Sequence, residues 1–183
     1  MRSITQFLEK RLKVKVNPDK TKVGSPLRLK FLGFSLGVDH NGAYARPAKQ
    51  SQQRVKKALR LLTKRNRGIS LTRMFEEIQR KMRGWLQYYS IGKLTDFIQR
   101  LDKWLRARIR QYIWKQWKKL KTKVTNLQKL GLSQRDAYVF ASTRKGYWRT
   151  AHSKTLSYSL TNRKLEQLGL MNMSKTLQSI QCD

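Results

Sequence analysis

Leu94-Thr95-Asp96-Phe97-Ile98-Gln99-Arg100-Leu101-Asp102-Lys103-Trp104-Leu105-Arg106-Ala107-Arg108-Ile109-Arg110-Gln111-Tyr112 carries two patterns at once. Leu94, Phe97, Leu101, Leu105, Ile109 and Tyr112 recur at three and four residues, the core stripe of an amphipathic helix that the spacing extends from about Leu94 to Lys123. Arg100, Lys103, Arg106, Arg110, Lys118 and Lys121 fall on roughly the opposite side, with Trp114 among them. A solvated helix face is the plain reading of such a row, but solvated faces mix signs, and here Asp96 and Asp102 are the only acids. A one-signed row at this spacing suits a phosphate backbone, because each neutralised phosphate releases counterions. Arg108 falls inside the apolar stripe, where it must either snorkel outward or pair with a carboxylate.

Upstream, Val55, Ala58, Leu59 and Leu62 mark a helix that follows Pro47 and stops near Arg67-Gly68. Ser70 can cap the next, whose stripe is Leu71, Phe75, Ile78, Met82, Trp85 and Tyr89, closing around Ser90 to Gly92. Three amphipathic helices on short connections predict a three-helix bundle. Nearer the amino terminus, Ile4, Phe7, Leu8 and Leu12 predict a short helix over Arg2 to Leu12. Val14-Lys15-Val16 then reads as a strand ended by the turn Asn17-Pro18-Asp19. Leu29 to Leu36 reads as a strand that continues through Asp39-His40-Asn41-Gly42 into Ala43-Tyr44-Ala45, a β-hairpin. Downstream, helices are predicted over Ser133 to Ala141, Ser157 to Leu168 and Ser174 to Ile180, with a basic, aromatic connection at Ser142 to Arg149. The fold class is therefore α+β, mainly α: a small β-hairpin unit over 1–47, a helical bundle over 48–123 and a basic carboxyl-terminal region over 124–183.

Across 183 residues, 42 Lys and Arg face 10 Asp and Glu, a formal charge of +32, which repels itself unless a polyanion neutralises it. The charge runs the whole length instead of gathering in one juxtamembrane cluster, no apolar run reaches transmembrane length, and no signal core follows Met1-Arg2-Ser3-Ile4-Thr5. Nucleic acid is the expected polyanion, no membrane partner is expected, and a cytoplasmic location is. Cys182 is the only cysteine, which suits a reducing compartment and rules out a disulfide within the chain. His40 and His152 lack the spacing of a zinc site.

Two further constellations combine bases with aromatics. In Arg83-Gly84-Trp85-Leu86-Gln87-Tyr88-Tyr89, Trp85 and Tyr89 lie on the core stripe, while Arg83 and Tyr88 either stack on a nucleotide or are simply exposed. In Arg144-Lys145-Gly146-Tyr147-Trp148-Arg149, the bases and Tyr147 suit backbone contact with base stacking; the alternative is a structural turn plugged by Trp148. Two-metal nucleotidyl transfer needs paired carboxylates. Here there is no Asp-Asp pair, the adjacent Glu76-Glu77 point in different directions on a helix, and neither a Gly-rich phosphate loop nor a Ser/His/Asp set occurs. No catalytic residues and no bound metal or cofactor are expected for this chain.

Leu12 to Lys22, followed by Phe31-Leu32-Gly33-Phe34, resembles the end of the palm in group II intron reverse transcriptases, the second stretch matching the motif near the primer end. The helical part resembles that family's thumb, the maturase domain or domain X, through Arg83-Gly84-Trp85 to Tyr89 and Asp102-Lys103-Trp104-Leu105-Arg106 to Trp117-Lys118. Ser142 to Arg149 is similar to the family's Ser-Arg-Lys-Gly-x-Trp-Arg element, with Thr143 inserted. The resemblance implies a protein that binds its intron RNA, helps it fold for splicing and copies it into DNA with magnesium, its carboxyl-terminal region touching target DNA. The chain departs from that pattern. The Tyr-x-Asp-Asp motif and fingers that would precede the first helix are missing, as is an endonuclease after the last. By resemblance Lys20 would aid phosphate chemistry in an intact polymerase.

The expectation is a truncated maturase in which strand Leu29 to Leu36, without its palm partners, is poorly ordered, and magnesium belongs only to an intact polymerase. Rival readings are a subunit that joins a separate amino-terminal reverse transcriptase chain, and a general helical DNA-binding protein.

Overall fold

The computed structural model describes residues 2–17, 21 and 24–182; Lys20, and Pro18 and Asp19 of the predicted turn, lie outside them. Among the described residues ten helices accompany one three-stranded sheet, a mainly α arrangement of the α+β class. Helix α1 spans Arg2–Arg11, close to its predicted range. Residues 13–17 adopt neither strand nor helix, so the strand predicted at Val14 to Val16 is absent.

The predicted strand Leu29 to Leu36 is two strands. β1 (Lys30–Phe31) turns back at Leu32 and Gly33, whose φ of 47° and 81° lie in the left-handed region, and pairs antiparallel with β2 (Phe34–Asp39). β2 pairs in turn with β3 (Gly42–Pro47), Asp39 opposite Gly42, across the predicted hairpin turn. The segment therefore finds its sheet partners within the chain. The helices hold the turn: Gly33 O accepts from the Ala48 N–H at 2.8 Å and the Ser51 hydroxyl at 3.0 Å, and the Tyr88 hydroxyl donates to Leu32 O at 2.9 Å. A Cβ on Gly33 would lie 2.5 Å from the Tyr89 hydroxyl, so both the φ and the close approach call for glycine. Lys93 fastens the far end, its N–H donating to Ala45 O and its ammonium to Asp39 Oδ2 at 2.7 Å.

α2 (Lys49–Leu62), α3 (Leu71–Tyr89) and α4 (Thr95–Gln116) form the bundle. Ser70 caps α3 as its position predicts, accepting from the Arg73 N–H, and Gly68 turns the chain before it with φ 66°. Val55, Leu59, Ile78, Met82, Ile98, Leu105 and Ile109 are all at most 2% exposed, the intended stripes meeting one another. α4 stops at Gln116 instead of running to Lys123, and α5 (Leu120–Lys129) sets off in a new direction. No glycine or proline causes the break. It lets Trp114 and Trp117 pack edge to face and brings Leu127 to full burial, a packing choice rather than a local signal.

The remainder is α6 (Gln134–Ala141), α7 (Tyr147–Ala151), α8 (Lys154–Ser159), α9 (Asn162–Gln167) and α10 (Met173–Cys182). Part of the predicted connection at Ser142 to Arg149 is thus helical, and the single helix predicted over Ser157 to Leu168 is two, divided where Thr161 caps α9. Leu127, Leu156, Leu165, Met173 and Leu177 share one buried cluster with the bundle. The carboxyl-terminal helices are consequently walls of the same core.

Candidate nucleic-acid interface

The row predicted along α4 divides in two. Arg100 and Lys103 are exposed, as are Lys118 and Lys121, although the latter pair follow the end of α4 and lie off its axis. Arg106 is 3% exposed and turned inward, its Nε 2.6 Å from Asp102 Oδ2 and its NH2 3.0 Å from Glu166 Oε1, with NH1 donating to Asn162 O. Arg110 donates to Leu160 O and to Asn162 Oδ1; burial, and after it the Arg106 charge, pushes its guanidinium below the ordinary value. Trp114 is 2% exposed, packed on Trp117 and Phe140. Arg106 and Trp114 are therefore interior groups and not the exposed contacts expected of them, while Arg110 is half-buried and held against residues 160–162. The chain's scarce carboxylates and the loop before α9 cover the side of α4 that its own sequence leaves to solvent.

Arg108 takes neither predicted course. Its Nε donates to Thr63 Oγ1 at 2.7 Å and its NH2 to the carbonyls of Arg60 and Thr63, closing the carboxyl end of α2, where cations are favoured. Desolvation, then repulsion from Arg60 and Arg65, pushes its guanidinium down.

Arg83 and Tyr88 are both exposed on α3. Tyr88 is already engaged through its hydroxyl with Leu32 and through its ring with Phe34, 5.7 Å away. Phe34 also meets Tyr89 at 4.9 Å, while Phe31 and Leu32 project outward at 77% and 67% exposure. The four residues matched to the primer-end motif thus form a turn seated on α3, with its tip bare. At the other constellation, Arg144, Lys145 and Arg149 are exposed and Tyr147 is half-buried. Trp148 is 42% exposed against His152, so it is no core plug.

What the sequence reading passed over lies between α2 and α4. Lys49, Lys56 and Arg60 follow one another at seven and four residues along α2 beside its apolar stripe, and Lys64 comes four residues later, just past the end of the helix. Lys56 stands over the Trp104 ring at 5.1 Å, and Arg108 over the same ring at 5.5 Å. Further along, Arg65 and Lys115 stand over the Tyr147 ring at 5.0 and 5.3 Å. This last group joins the end of α2 to α7, elements far apart in sequence. No group of three or more His, Cys, Asp and Glu side chains comes together to hold a metal among the described residues. None of the described helices is long and apolar enough to cross a membrane.

The fold and surface define a class, a basic helical bundle faced by a small sheet, with lysine and arginine exposed on several sides. Residues 52–131 match the family described as group II intron, maturase-specific domain. The match begins within α2 and ends just past α5, taking in the bundle and the Trp104, Arg106, Arg108 and Trp114 positions. Over that stretch, a little under half of its length, the chain is similar to the group II intron maturase-specific domain, in line with the resemblance of its motifs. No curated protein matches it.

Proposed function

We propose that the protein binds group II intron RNA and assists its splicing, gripping phosphates with the exposed Arg100, Lys103, Lys118 and Lys121 while Arg83, Arg144, Lys145, Tyr147 and Arg149 contact nucleic acid nearby. The observation that carries this reading is the maturase-specific match over 52–131 in a chain of formal charge +32. The protein works by holding RNA in a productive shape, with no catalytic centre or metal of its own; magnesium enters with an intact polymerase. The Arg144 to Arg149 side also reaches target DNA when the intron moves. Purified protein should bind a group II intron transcript with an affinity that falls on the order of a hundredfold or more between low and physiological salt, if about six phosphates are neutralised. It should also accelerate splicing of that transcript at limiting magnesium. Affinity that ignores salt, or equal affinity for duplex DNA, would count against the reading and, in the second case, for a general DNA-binding protein.

A second reading, a subunit that joins a separate chain bearing the polymerase carboxylates, is favoured by one observation. Ile4, Phe7 and Leu12 in and after α1, and Phe31, Leu32 and Val38 on the sheet, are each more than half exposed. Exposed apolar side chains gathered on α1 and on the sheet suit a protein partner. Co-expression with a reverse transcriptase chain that ends at its palm should give a stable heterodimer able to extend a primed RNA template, and two chains that never associate would remove this reading.

A further inference from the structure

We propose that the groove between α2 and α4 is a seat for the sugar–phosphate backbone of RNA, holding consecutive phosphates without reading bases. The inference rests on the RNA-binding reading above and names where the strand runs. Two adjoining hollows make the groove. The first, about 320 Å³, is lined by Lys49, Lys56 and Arg100 with Trp104 and Phe97. The second, about 660 Å³, is lined by Arg60, Lys64, Arg65, Arg108 and Lys115 with Tyr147. Trp104 links them, because Lys56 of the first and Arg108 of the second lie over its ring.

Neither hollow has a carboxylate in its lining, and none of these cations takes part in an ion pair among the described residues. This is a choice of placement. The acids of the neighbouring elements are used elsewhere: Asp102 and Glu166 neutralise Arg106, and Glu77 pairs with Arg67 and Arg73. Like charges crowded along a groove raise the free energy of the folded chain until a polyanion enters, so the groove is complementary to a ligand the chain does not itself supply.

The aromatics favour backbone over bases. Trp104 and Tyr147 have cations over their rings, which directs the side chains along the groove and leaves the rings less available for stacking. Arg108 is tied to the end of α2 and provides a fixed charge, whereas Lys56, Arg60 and Lys64 are exposed and adjustable. α2 spans 14 residues, about 21 Å of track, enough for several phosphates in a row.

The test uses the full chain and a folded RNA hairpin with a single-stranded extension, titrated across a salt series. K56Q/R60Q/K64Q removes three groove charges at exposed positions on α2 and just past its end; K129Q/R135Q/K175Q removes three at exposed positions elsewhere. The groove triple should lower affinity at least tenfold near physiological salt and reduce the magnitude of the salt slope by about two, with Tm unchanged. The control triple should change both less, and K56R/R60K/K64R should restore the wild-type curve. Equal effects of the two triples, or no effect of the groove triple, would overturn the groove while leaving RNA binding intact. A wild-type protein with no salt-dependent affinity would instead overturn the RNA reading itself. Loss of affinity for duplex DNA but not for RNA would also sink the proposal.

Discussion

Arg106 sets the tone at the scale of single residues, because a cation in a strongly basic chain is spent on the interior. Its guanidinium lies between Asp102 and Glu166, and Glu166 accepts also from the Asn172 amide, so one arginine organises four polar groups where α4 meets α9 and the start of α10. Replacing it with leucine leaves two carboxylates without their partner, a loss of about 3–5 kcal/mol for a broken buried pair. R106L should show this in urea unfolding while RNA affinity per folded molecule stays within about twofold. An affinity that collapses with stability intact would return Arg106 to the binding face. Tyr88 makes the complementary point: a side chain can be exposed and still committed, here to Leu32 O, so exposure alone does not mark a nucleotide contact.

At the scale of elements, the sheet is joined to the bundle by Phe34, packed on Tyr88 and Tyr89, and by a few polar contacts at its two ends. Gly33 O on the Ala48 and Ser51 donors fixes one, and Asp39 with Lys93 fixes the other. The hydrogen bond from Lys93, then the Asn41 N–H, holds the Asp39 carboxyl below its ordinary value, and Asp39 in turn raises the Lys93 ammonium. A depressed carboxyl contributes above its unfolded pKa and loses the contribution as pH falls through the folded one; a raised ammonium contributes at every pH below its ordinary range. The latch is therefore complete at neutral pH and opens below about pH 4. Amide exchange in β2 and β3 should accelerate relative to α3 on acidification across that range. D39N should show the faster exchange already at pH 7 with little further change. Exchange in the sheet that tracks α3 at every pH would mean the latch contributes nothing.

At the scale of the whole molecule, one buried cluster runs from Val55 to Leu177, with Leu127, Leu156 and Leu165 as deeply buried as Leu59 or Ile98. Shared burial couples unfolding, so the bundle over 48–123 and the region over 124–183 should melt in a single calorimetric transition. A chain ending after Lys123 would uncover the Trp114 face and the Arg106 carboxylate site together. It should lose tertiary structure by near-ultraviolet circular dichroism; two separate transitions, or a folded short chain, would show that the regions are independent. The same coupling places Tyr147 beside Arg65 and Lys115, so damage to α7 should be felt in the groove.

By itself the sequence determined the mainly helical class, the stripes of the three bundle helices, the Ser70 cap, the Asp39 to Gly42 hairpin and the excess of positive charge, since periodicity, capping and composition are local or additive properties. The similarity of residues 52–131 to the maturase-specific domain was legible too, in short motifs kept in order. The tertiary structure alone decided which cations face solvent. Helical spacing gives the angle of Arg106 or Arg110 around its own axis but cannot say what covers that side, and residues 160–166 cover it. The same holds for the end of α4 at Gln116, set by the packing of Trp114, Trp117 and Leu127, and for the turn at Leu32 and Gly33, held by donors from α2 and α3. Each depends on contacts between residues distant in the chain, which neither residue carries in its own neighbourhood.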